Sequence, residues 1–155
     1  MITTDQIEKV QSKWGENLVE IGRHKNNKED YEMATNSMLN ELYAFENGEV
    51  LFKPTRVVEK QFRLNLEAAK SYFIGGNPNF SEDLGFALEP WVSVKFVNGA
   101  ITLNNNHAIA MGNYFFTSPN GEELKAEYTF GYIKDKRGDL KINLHHSSVP
   151  FNHEK

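Results

Sequence analysis

Turn residues punctuate the second half of this chain and are sparse in the first, and this segregation restricts the fold more than any other feature. Beyond Pro90, apolar stretches of strand length are separated by Asn98-Gly99, Asn104-Asn105-Asn106, Ser118-Pro119-Asn120-Gly121 and Asp135-Lys136-Arg137-Gly138. Clusters of this kind between alternating segments mark hairpins. They predict an antiparallel meander with strands over 91–97, 100–103, 108–116, 124–134 and 140–148. Asn98-Gly99 is the sharpest hairpin signal. The first half has helical spacing instead. Ile7, Val10, Trp14, Leu18 and Ile21 form one stripe, with Thr3 and Gln6 as a capping box and Gly22 near the end. Tyr31, Ala34, Met38 and Leu42 form a second stripe, with Asp30 as the expected N-cap. A third helix is expected over 65–74, stopped by Gly75. Between them, the short apolar run 50–53 ends at Pro54.

Helices first and a bent sheet after describe an α+β domain over residues 1–155. A sheet with helices on one face can curl into a cone whose apolar interior opens at a mouth, a common place for small-molecule sites. The net charge of −4 and the absence of a dense Lys/Arg run argue against nucleic acid. No apolar run is long enough for a membrane span. The N-terminus has no signal-like pattern, so the expected setting is cytoplasmic. The chain has no cysteine, which removes disulfides, thiolate zinc sites and cysteine nucleophiles.

The last strand ends in His145-His146-Ser147-Ser148. Alternate side chains of a strand face opposite ways, so each face receives one imidazole and one hydroxyl. Ile142 and Leu144 are apolar, and a strict alternation continues their interior face through His146 and Ser148. That register selects His146 and Ser148 for a pocket, with His145 and Ser147 as supporting or interface groups. The same four residues could equally be structural polar groups. No H-x-x-x-H or H-E-x-x-H spacing occurs among the five histidines, and no G-x-S-x-G elbow accompanies the serines. Neither a metal site nor a serine triad is expected. Tyr128, Phe130 and Tyr132 share one strand face and read as core. The loop Gly75-Gly76-Asn77-Pro78 reads as a turn or as a cradle of backbone N–H groups.

The run Asn143-Leu144-His145-His146-Ser147 after helices and a meander resembles the nuclear-transport-factor-two-like, cystatin-like superfamily, including the association domain of calcium/calmodulin-dependent kinase II. Closer still is the resemblance to the iota-class carbonic anhydrases. It rests on His145-His146-Ser147-Ser148 followed by an apolar residue and Pro150, and on Leu51-Phe52-Lys53-Pro54-Thr55, Glu59-Lys60-Gln61-Phe62-Arg63, Ser71-Tyr72-Phe73-Ile74-Gly75-Gly76-Asn77-Pro78, Gly85-Phe86-Ala87-Leu88 and Ala110-Met111-Gly112-Asn113-Tyr114. The resemblance implies a cone-shaped fold, a homodimer, and reversible hydration of CO2 to bicarbonate. It implies no cofactor, since this chain offers no metal cage.

The resemblance also implies a site that joins the His/Ser strand to a threonine and a tyrosine, here Thr55 and Tyr72, with Tyr114 and Tyr128 as alternatives to Tyr72. With the register above, Thr55 and Ser148 would position water or bicarbonate. Tyr72 would donate to the developing anion, and His146 would accept the proton. A rate below that of zinc enzymes is expected, because no metal lowers the pKa of the attacking water. The rival reading is a non-catalytic module that binds a ligand or assembles as a hub.

Overall fold

A computed structural model describes residues 1–154. Helix α1 (Thr4–Arg23) begins at the predicted capping box. Thr3 N–H donates to Gln6 Oε1 at 2.9 Å, and Gln6 N–H donates to Thr3 Oγ1 at 3.2 Å. Its stripe of Ile7, Trp14, Leu18 and Ile21 is buried. Helix α2 (Lys28–Leu42) starts earlier than expected. Asn27 is its N-cap, and Asp30 sits inside the first turn, donating its N–H to Asn27 Oδ1 at 3.2 Å. Helix α3 (Leu66–Ile74) is capped by Asn65 and stopped by Gly75 at φ 66°. A Cβ there would meet Asp83 O and Gly85 N, each at 3.2 Å, so the Gly-Gly-Asn-Pro loop is a tight turn.

Five strands form one open sheet: β1 (Leu51–Lys53), β2 (Ser93–Leu103), β3 (His107–Thr117), β4 (Glu123–Lys134) and β5 (Leu140–Ser148), in the order β1-β5-β4-β3-β2. β2 through β5 are antiparallel neighbours, and β1 adds to the edge of β5 in parallel. The helices lie against one face, where α1 and the inward side chains of the sheet share an aromatic core around Trp14, Tyr114, Phe116 and Phe130. No helix among the described residues is long and apolar enough to cross a membrane.

Two sequence expectations fail at the same kind of feature. Asn98-Gly99 is not a hairpin. β2 runs through it, and the register steps from Asn98↔Gly112 to Ala100↔Met111, which leaves Gly99 as the extra residue of a bulge. Asn98 faces inward, exchanging amide hydrogen bonds with Gln11 at 2.7 and 3.0 Å. The chain reverses at 104–106 instead, where Asn104 N–H donates to His107 O at 3.0 Å.

The second bulge has the larger consequence. On β5 the register steps from Tyr132↔Ile142 to Gly131↔Leu144, so Asn143 is the extra residue. Both Asn143 and Leu144 then lie on the outer side, and alternation resumes one position out of phase. Ile142 faces inward, but so do His145 and Ser147, which are 2% and 1% exposed. His146 is exposed on the outer face beside Ser148. The expected placement of His146 and Ser148 in the interior is therefore overturned. Gly131 makes room for the bulge, since a Cβ there would stand 2.8 Å from Leu144 Cβ and 2.9 Å from Asn143 Oδ1.

Candidate active site

The inward pair of β5 meets side chains from five other segments. Pro54 ends β1 and turns the chain so that Thr55 stands over the sheet edge. α3 contributes Tyr72, β3 contributes Tyr114, α1 contributes Trp14, and Tyr43 follows directly on α2. Thr55, Tyr72, Tyr114, His145 and Ser147 line one cavity, walled by rings that include Phe52 and Phe86. The space open to the centre of a water molecule is about 10 Å³. That is close to the minimum for one water, in a site with several polar partners for it.

The polar groups form a continuous chain. Trp14 Nε1–H donates to Tyr43 Oη at 2.9 Å, and Tyr43 Oη lies 2.8 Å from His145 Nδ1. His145 Nε2 is 3.1 Å from Tyr114 Oη, which donates to Ser147 Oγ at 2.5 Å. Ser147 Oγ lies 2.5 Å from Thr55 Oγ1. Tyr72 Oη accepts from the Arg56 backbone N–H at 3.1 Å. The imidazole is stacked between Phe130, with centroids 4.1 Å apart, and Phe52, 4.7 Å apart, so its plane is held by packing.

Burial sets the charge states. It pushes the Tyr72 hydroxyl up to about 12, against the smaller opposing pull of the Arg56 N–H and the Thr55 hydroxyl. It also raises Tyr114, against the hydrogen bond to Ser147. Burial holds the His145 imidazole well below its ordinary value, with neighbouring His146 adding to the effect. At neutral pH the pocket is uncharged and rich in O–H donors.

The loop that carries Thr55 is held in place by buried charge. Arg63 donates to both oxygens of Asp83, at 2.8 and 2.7 Å, and Ser71 Oγ donates to Asp83 Oδ2 at 2.5 Å. The Arg63 N–H also donates to Phe52 O at 2.7 Å, tying the loop's far end to β1. The Glu82 carboxylate accepts the N–H groups of Val58, Glu59 and Lys60, which holds its carboxyl below the usual range.

Of the residues singled out from the sequence, the structure brings Thr55 and Tyr72 to the cavity, together with His145 and Ser147. Ser148 Oγ instead donates to Glu127 Oε1 at 3.0 Å on the outer face, where His146 also lies. Among the alternative tyrosines, Tyr114 reaches the cavity. Tyr128 spends its proton on Asn98 Oδ1 at 2.5 Å. Sequence reasoning missed Trp14 and Tyr43 as members of the polar chain. Trp14 sits in a regular apolar stripe and Tyr43 follows the end of one, so nothing in the spacing distinguished either from ordinary core. Among the described residues, no three His, Asp or Glu side chains gather as a metal-binding group.

The sequence profile of the metal-independent carbonic anhydrase family matches residues 5–149. A metal-independent carbonic anhydrase from Nostoc sp. is 35% identical over 153 residues, which are 97% of this chain and 75% of that protein. The crystal structure of a cyanobacterial iota-carbonic anhydrase complexed with bicarbonate superposes with a TM-score of 0.94 at 35% identity, over 98% of this chain and 94% of that one. A calcium/calmodulin-dependent protein kinase II association domain from Xanthomonas campestris has the same fold, with a TM-score of 0.62 at 24% identity over 97% and 89% of the two chains.

Proposed function

This chain belongs to the metal-independent carbonic anhydrase family, and we propose that it hydrates CO2 reversibly to bicarbonate in the His145 pocket. The observation that carries this site is the convergence of Thr55, Tyr72, Tyr114, His145 and Ser147 on one water-sized cavity with aromatic walls. CO2 is apolar and suits the aromatic wall. Water held at the Thr55 and Ser147 hydroxyls attacks the carbon, and one C=O electron pair moves onto oxygen. Tyr72 and the hydroxyl chain donate to that oxygen as its charge grows, a low-dielectric arrangement of the oxyanion-hole type. The released proton leaves toward solvent past Thr55, the half-buried member of the set.

The outer pair has a different proposed use. Val97, Ile109 and Met111 are exposed on the outer sheet face, at 44%, 42% and 58%. We assign this face to the interface of a homodimer, with His146 and Ser148 near its β5 end. An exposed apolar patch on a sheet supports such packing. Light scattering tests it: a dimer is expected, and a monomer or a ring of many subunits overturns it.

Stopped-flow CO2 hydration by purified protein, dialysed against chelator, tests the function. Catalysis that persists after chelation and falls in Ser147→Ala is the expected result. No catalysis in any condition overturns the activity. Full activity of a folded Ser147→Ala protein overturns the site.

A further inference from the structure

Both ends of the hydrogen-bonded chain dictate which nitrogen of His145 carries the proton. At the inner end, the Trp14 indole N–H is a donor only. It donates to Tyr43 Oη at 2.9 Å, so Tyr43 must accept there. Tyr43 is 1% exposed, and the other group in reach of its hydroxyl is His145 Nδ1 at 2.8 Å. The Tyr43 proton therefore belongs on that contact, and Nδ1 is the acceptor.

The outer end requires the same answer independently. Tyr114 O–H donates to Ser147 Oγ at 2.5 Å, so its proton is already committed. Its contact with His145 Nε2 at 3.1 Å is then satisfied by an Nε2–H that donates to Tyr114 Oη. The opposite tautomer points two donors at Tyr43 and leaves the Tyr43 proton buried without an acceptor. It also forces Tyr114 to choose between Nε2 and Ser147. Only the Nε2–H form pairs every proton from Trp14 to Ser147.

We propose that Trp14 and Tyr43 are positioning residues that lock His145 as its Nε2–H tautomer and so point the hydroxyl protons of Tyr114 and Ser147 toward Thr55 and the cavity. Stacking of the imidazole between Phe52 and Phe130 holds the ring plane, so the lock acts on the proton rather than on the ring. The consequence for the reaction, which rests on the site assignment above, is directional. The chain presents donors to the cavity and ends inward at an indole that does not titrate. It stabilises a developing oxyanion and provides no inward route for the proton that water loses. His145, with both nitrogens engaged, acts by orienting Tyr114 and is not the immediate base.

Long-range ¹H–¹⁵N correlation spectra of protein labelled in its imidazoles test the lock without any turnover. At neutral pH the His145 signals are expected to show protonated Nε2 and bare Nδ1. An Nδ1–H pattern, or an even mixture, overturns the proposal, and this readout needs no variant. Tyr43→Phe is expected to broaden His145 into a tautomer mixture and lower kcat by about 10-fold, the scale of losing a group that orients a reacting one, with KM little changed. A folded Tyr43→Phe protein with wild-type tautomer and kcat overturns the role of Tyr43. Trp14→Phe removes the indole donor together with part of a buried ring, so its tautomer ratio is read on protein shown to be folded. It is expected to move the tautomer ratio in the same direction, and an unmoved ratio removes Trp14 from the lock. A protein that shows the Nε2–H pattern but hydrates no CO2 would leave the lock standing and overturn the function instead.

Discussion

The two faces of β5 carry the same chemistry, one imidazole and one hydroxyl each, and their surroundings have made them into different things. The inward pair, His145 and Ser147, is sealed in aromatic rings and bound into a chain of five side-chain hydrogen bonds from Trp14 to Thr55. The outward pair meets solvent, and among the described residues Ser148 has only Glu127 as a side-chain partner. Burial keeps the inner imidazole neutral and makes each inner hydrogen bond count for more, because water is not there to compete. Residue type alone cannot tell the two pairs apart. Partner geometry and desolvation do.

The sharpest way to break that comparison is to remove one hydroxyl from each face. Ser147→Ala removes a link between Tyr114 and Thr55, and the hydration rate is expected to fall by about 10²-fold, the scale of losing one donor at a developing oxyanion. Thr55→Val, which keeps the side-chain shape, is expected to fall on the same scale. Stopped-flow rates of folded variants check both. A drop of less than about 3-fold in either would mean that the chain's outer end does not touch the reaction.

The next effect is on stability. Gly131→Ala drives a Cβ into Leu144 and Asn143 at the bulge that sets the inner face. Crowding of that kind is expected to cost about 1–3 kcal/mol in denaturant unfolding. An unchanged midpoint would show that the strand pair absorbs the methyl and that the bulge does not depend on this glycine.

Acid stability distinguishes the inner imidazole by sign. The unfolded His145 titrates near 6.5, whereas burial holds the folded group well below that value. Between the two values the unfolded chain binds one more proton than the folded one, so stability rises with pH there. The stabilisation is complete above about 6.5 and is lost as pH falls toward the folded value, with a slope of at most about 1.4 kcal/mol per pH unit. Urea unfolding from pH 7 to pH 5 should show this slope, and His145→Gln should flatten it. An equally steep acid limb in that variant would assign the effect to other groups. The smallest effect belongs to the outer face: Ser148→Ala should change the hydration rate by less than about 2-fold, as for a surface hydroxyl away from the reacting atoms. A large loss would return the site to the face chosen by strict alternation.

Much of this arrangement was legible in the residues. Stripes of Ile, Trp and Leu at helical spacing and the Thr3–Gln6 box placed α1. Turn clusters placed β3, β4 and β5. The resemblance grouped Thr55, Tyr72 and the His/Ser run, of which the cavity holds Thr55, Tyr72, His145 and Ser147 and not His146 or Ser148. Asn98-Gly99 was misread because a glycine that ends a strand and a glycine that bulges one look alike locally. Pairing with β3 distinguishes them, since Asn98 and Ala100 bond to adjacent residues of that strand. Asn143 is the same case with a functional outcome.

Alone, the amino-acid sequence determined the three helices and the run of strands from β3 to β5, because these depend on local periodicity and turn chemistry, while the resemblance of its motifs supplied the family and a short list of candidate site residues. The tertiary structure decided which face of β5 enters the pocket, because a single unpaired residue shifts the phase of a period-two pattern. It also decided which side chains complete the site. Trp14, Tyr43, Tyr114 and His145 are far apart in the chain, and only the packing of α1, the end of α2 and the sheet brings their polar atoms within hydrogen-bonding distance.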